Sequence, residues 1–102
     1  MKFENVEYIE DIRLEEFSRK LLVCGNRNRF KMLCLIERHS LYSKDICEIM
    51  KAVQPVVSQY VTVLKNNGII DCNPMGREKI YRIVDPVILD IIHNFNESLE
   101  EK

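Results

Sequence analysis

Gln54-Pro55-Val56-Val57-Ser58-Gln59-Tyr60-Val61-Thr62-Val63-Leu64-Lys65-Asn66, closed by Asn67-Gly68, is the stretch that decides the fold. Pro55 suits the first turn of a helix, where its missing N–H has no partner to lose, and Gly68 accepts the left-handed geometry that ends one. Between them Val57, Val61 and Leu64, at steps of four and three, predict an apolar face. Gln54, Ser58, Gln59, Tyr60 and Thr62 predict a wet face of hydrogen-bonding side chains, with Lys65 near its end. A helix of this length, polar on one side and aliphatic on the other, has the dimensions of the major groove of duplex DNA.

Downstream, Ile69 to Cys72 and Lys79 to Ile83 read as short strands. The stretch Asn73-Pro74-Met75-Gly76-Arg77-Glu78 forms the turn between them, and Arg77 and Lys79 give the hairpin a basic tip. Upstream, Ser43 can cap a short helix from Lys44 to Met50 whose Ile46, Ile49 and Met50 face inward. Asn26 can cap a longer helix from Arg27 to Arg38, with Phe30, Met32, Leu33 and Ile36 as its core side. A first helix from Ile9 to Val23 carries Ile9, Ile12, Leu14, Phe17, Leu21 and Leu22 as one buried stripe, and Gly25 stops it. Asp85 and Pro86 open a last helix in which Val87, Leu89, Ile92, His93, Phe95 and Leu99 include a seam long enough to need a partner. This order predicts a mainly α protein with a small β-hairpin wing, a winged helix-turn-helix, as a single domain over residues 1–102.

One core is all that 102 residues can support. A composition 46% hydrophobic and 30% charged is that of an ordinary globular chain. No apolar run is long enough to span a bilayer, and the acidic start Met1 to Asp11 is no secretion signal, so a cytoplasmic protein with no membrane contact is expected. The formal net charge of -1 hides a division along the chain. Residues 26–82 carry +5, whereas residues 1–25 carry -2 and residues 83–102 carry -4. Positive charge is therefore concentrated where double-stranded DNA would lie. Two histidines and no glycine-rich phosphate loop propose no reaction, so the chain is not expected to be an enzyme. The other reading is a protein-interaction module that turns its recognition face to another protein.

Three segments carry a resemblance. Asn26 to Leu33, Gln54 to Ile70 and Gly76 to Ile83 together resemble the ArsR/SmtB family of small bacterial and archaeal repressors, over about residues 18 to 95. The resemblance implies a homodimer in which the first and last helices, residues 8–24 and 85–100, pack together while two recognition helices read a palindromic operator. It implies DNA contacts from Gln54, Pro55, Ser58, Gln59, Tyr60, Thr62, Lys65, Arg77 and Lys79. Two departures stand out: Val53 occupies a position where the family often has a capping serine or threonine, and Tyr60 replaces a common histidine.

Both metal patterns of the family are broken. Leu41, Tyr42, Ser43 and Lys44 stand where one branch has cysteines, and Asp90, His93, Glu97 and Glu100 do not reproduce the spacing of the other. No metal and no cofactor are expected, and His93 reads as a core or dimer-seam residue. Cys24, Cys34, Cys47 and Cys72 have no CxxC spacing and read first as free thiols. A metal-free branch of the family senses oxidants or reactive sulfur through a cysteine pair. Cys34 matches its first position, and Cys24 or Cys72 would have to supply the second, within about 4.4–6.8 Å between Cα atoms. A thiol-sensing repressor is therefore the alternative to a plain one.

Overall fold

Asn26 and Asp85 show how local sequence starts the helices. The Asn26 side chain accepts the N–H groups of Asn28 and Arg29, both at 3.1 Å, and opens α2 (Arg27–Arg38). Asp85 accepts those of Val87 and Ile88, both at 3.0 Å, and opens α5 (Pro86–Ser98). Each such cap contributes about 1 kcal/mol. The computed structural model describes residues 7–100. Residues 1–6 and 101–102, the ends of the expected single domain and part of its acidic flanks, lie outside the described residues. α1 (Asp11–Cys24) precedes the first of these caps, and between the two the chain runs through α2, α3 (Ser43–Met50), α4 (Gln54–Asn66), β1 (Ile70–Met75) and β2 (Glu78–Ile83) before α5. No helix of the described chain is long and apolar enough to cross a membrane.

The core gathers one face from each element after α1. Met32 and Leu33 of α2, Ile46 of α3, Val57 and Leu64 of α4, Ile69 and Ile70 at the start of the hairpin, and Ile88 and Ile92 of α5 are all but closed to solvent. β1 and β2 pair antiparallel from Ile70 opposite Ile83 to Met75 opposite Glu78. Gly76 and Arg77 alone form the turn, so the expected six-residue connection is mostly strand. Gly76 takes φ 67°, which a two-residue hairpin turn demands at its first central position. Pro74 hides this in the sequence, yet proline is tolerated because a two-stranded ribbon is all edge. A single antiparallel bridge from Tyr42 to Ile80 ties the α2–α3 connection to β2.

Four expectations need correction. Ser43 is the first residue of α3 and not its cap; Tyr42 precedes it, and the Asp45 carboxylate accepts the Tyr42 N–H at 2.9 Å. Ile49 is exposed, because α3 buries a face only wide enough for Ile46 and half of Met50. The stripe expected to be buried on α1 is open: Ile12 is 62% and Leu22 80% exposed. Only the C-terminal part of α1 meets the core, through Phe17, Val23 and Cys24, so the rest of the helix has no surface of its own chain to cover it. Ile92, expected in the seam toward a partner, is 1% exposed and belongs to this chain's own core.

Candidate nucleic-acid interface

α3 and α4 meet through Lys51, Ala52 and Val53, a connection with almost no slack. Lys51 adopts the left-handed conformation (φ 53°, ψ 46°), which turns the chain sharply as α3 ends. The Ala52 N–H then donates to the Cys47 carbonyl at 3.0 Å. Val53 precedes α4 without a side-chain cap, and Pro55 in the first turn compensates by removing one N–H that would need a partner.

Along α4, Gln54, Pro55, Ser58, Gln59 and Thr62 are exposed, opposite the buried Val57 and Leu64. The first turn is internally ordered: the Cys47 thiol donates to Gln54 Oε1 at 3.2 Å, and Gln54 Nε2 donates to Ser58 Oγ at 3.1 Å. Thr62 turns its hydroxyl back to the Ser58 carbonyl at 2.9 Å. Two of the expected contact residues stand apart from this face. Tyr60 is half-buried against the core, and its hydroxyl accepts Asn28 Nδ2 at 3.0 Å, so it braces α4 on α2. Lys65 points toward β1, 4.0 Å from Asp71 Oδ1, where part of its charge is balanced. Arg77 at the turn and Lys79 beside it are exposed. The sequence reading missed a cleft of about 410 Å³ between α3, α4 and the hairpin, to which Ser43, Lys44 and Tyr81 contribute.

The thiols sit away from that face or are engaged by it. Burial and the Asp85 carboxylate push the Cys24 thiol up, and burial and Glu37 do the same to Cys34, which favours the protonated, weakly nucleophilic form. Cys34 lies in α2 and Cys72 in β1, and all four cysteines are free thiols. Among the described residues no group of three or more His, Cys, Asp or Glu side chains is placed to hold a metal ion.

His93 is half-exposed, so it is not a core residue. Its Nδ1 lies 2.9 Å from Glu37 Oε2, while Asn96 Nδ2 donates to Glu37 Oε1 at 2.7 Å and to the Cys34 carbonyl at 3.1 Å, joining α5 to α2. The Glu37 hydrogen bond raises the His93 pKa above its usual 6.5, and the bonds from Asn96 and His93 lower that of Glu37. The two shifts act in opposite directions. Stability from His93 is fully present below its unfolded pKa and is lost as pH rises through the raised value. Stability from Glu37 is present above its unfolded pKa and is lost as pH falls through the lowered one. The melting-temperature gap between wild type and His93→Gln is therefore expected to be widest between about pH 5 and 6 and to close toward about pH 8. A gap that does not change across that range would show that the charged pair contributes nothing.

A tight helix-turn-helix presenting a polar helix face, beside a hairpin with a basic tip, defines the class: a winged helix-turn-helix DNA-binding transcription regulator. The comparisons agree and narrow it. Residues 26–71 match the model described as bacterial regulatory protein, arsR family. Similar solved structures include HlyU from Vibrio cholerae N16961 (TM-score 0.80, 15% identity, 86% of this chain and 96% of that one). The transcriptional repressor PagR of Bacillus anthracis gives a TM-score of 0.74 at 27% identity, over 85% of this chain and all of that one. A third is the DNA-binding domain of a possible ArsR-family regulator from Mycobacterium bovis, described as homodimeric (TM-score 0.76, 18% identity, 91% and 89% covered). No curated protein sequence matches the chain.

Proposed function

We propose that the chain is a transcriptional repressor that binds a palindromic operator as a homodimer in the cytoplasm, without a metal effector. The observation that carries this is the exposed side of α4, where Gln54, Ser58, Gln59 and Thr62 stand opposite the core beside a wing that ends in Arg77 and Lys79. Base edges are read by such amide and hydroxyl groups, whereas cations on the wing meet phosphates or the minor groove. The fold supports the dimer from the other end: exposed apolar residues of α1 and α5, among them Ile12, Leu22, Val87, Ile91 and Phe95, form more apolar surface than one small chain leaves open without use. α5 carries Asp90 and Glu97 and no lysine or arginine, which suits a surface turned away from DNA.

Gln59 tests the reading. It is exposed at the middle of the polar face, so Gln59→Ala is expected to cost about 1–3 kcal/mol on the preferred operator and little on random duplex. Fluorescence anisotropy on both duplexes checks it. An equal loss on the two would remove Gln59 as a base reader, and no salt-dependent binding of any duplex would remove the DNA reading altogether.

A further inference from the structure

Where α3, α4 and the wing meet, Lys44, Arg77 and Lys79 converge on the cleft of about 410 Å³, with Glu78 as its one carboxylate. Among the described residues, no carboxylate lies within ion-pair distance of these three cations. Across the same cleft the Ser43 and Tyr81 hydroxyls are 2.9 Å apart. Each carries one O–H, and only one of the two protons is used between them, so the pair retains a proton to donate. The walls are fixed in relation to each other, because Tyr42 bridges to Ile80 on one side and the Cys47 thiol of α3 donates to Gln54 Oε1 of α4 on the other. A rigid cleft with surplus positive charge and a spare hydroxyl donor suits an oxyanion.

We infer that this cleft is a phosphate clamp, in which Lys44, Lys79 and the Ser43–Tyr81 pair hold one phosphodiester of the DNA strand running between the groove that α4 enters and the groove beside the wing. This rests on the DNA-binding reading and adds three residues to it, Ser43, Lys44 and Tyr81. A phosphodiester carries one charge and no sequence information, so the clamp sets position and register while α4 reads bases. Ser43 donates its capping role to Asp45 and Tyr42, which leaves its hydroxyl for the cleft.

The test compares wild type, Lys44→Ala and Tyr81→Phe on operator and random duplexes over a range of salt, with melting temperatures to confirm folding. Lys44→Ala removes one counterion-releasing contact from each protomer, two per dimer, so both affinities are expected to fall about 100-fold near 50 mM salt and about eightfold near 200 mM, with a salt slope smaller by about 1.8. Tyr81→Phe removes a hydroxyl and no charge, so it is expected to weaken both duplexes with the slope unchanged. Unchanged binding by Lys44→Ala, while Gln59→Ala still discriminates between duplexes, would overturn the clamp and leave the repressor reading intact. A Lys44→Ala loss confined to the operator would overturn it too, since a phosphate contact is blind to sequence. Inorganic phosphate separates the other source of this chemistry: competition with DNA at low phosphate that vanishes in Lys44→Ala would make the ligand a free anion and overturn the assignment to the DNA backbone.

Discussion

A chain carrying Leu22→Glu and Ile91→Glu is expected to stay folded, to sediment as a monomer at micromolar concentration, and to bind operator DNA on the order of 100-fold or more weakly. Leu22 is 80% and Ile91 40% exposed, so neither holds this chain's own core together. In a two-fold dimer each substitution occurs twice, which places four buried carboxylates where aliphatic side chains would each contribute about 1.5–3 kcal/mol. Losing the dimer separates two half-sites that otherwise share one effective concentration. Analytical ultracentrifugation and anisotropy check both halves of the expectation. A variant that remains dimeric, or a monomer that binds as tightly as wild type, would refute the proposed interface.

The adjacent position gives the opposite result. Ile92 is 1% exposed, packed in the core that also contains Met32, Leu33 and Ile88, so Ile92→Ala leaves a cavity. The expected loss is about 2–4 kcal/mol, which lowers the melting temperature by roughly 10–20 °C for a domain of this size. Melting curves at one protomer concentration measure it, because dimerisation would otherwise shift the midpoint. A midpoint equal to that of wild type would show that the site is not core. One helical step of about 100° separates a residue that holds the fold from one that is proposed to hold the partner.

That distinction was beyond the sequence, in which Val87 to Phe95 shows only a rich apolar pattern. Ile88, Ile92 and Asn96 share the buried face at steps of four, and a buried asparagine in the third place breaks the apolar pattern that would mark it. Asn26 and Asp85 were legible because a cap acts on its own next two or three residues. The start of α3 was not, because its cap joins Tyr42 to Asp45 and leaves the obvious candidate, Ser43, to pair with Tyr81, thirty-eight residues away. On α4 the exposed Gln54, Ser58, Gln59 and Thr62 were read from periodicity. Tyr60 was misplaced because it lies three residues after Val57, at the border of the apolar face, where a long amphipathic side chain can turn either way. Lys65 was assigned by its position in the helix, and Asp71 on the following strand draws it aside. The cleft at Lys44 had no local signature, since its walls come from three separate elements.

The Tyr42–Ile80 bridge has a further meaning for how such a protein can change over time. With the hairpin stitched to the segment before α3, and α3 joined to α4 by three residues, the distance between the reading helix and the wing is a fixed gauge. Insertions in either connection would alter both ends of that gauge together. New target sequences are therefore most easily acquired by exchanging exposed side chains at Gln54, Ser58, Gln59 and Thr62, on a frame whose spacing stays constant while its vocabulary is rewritten.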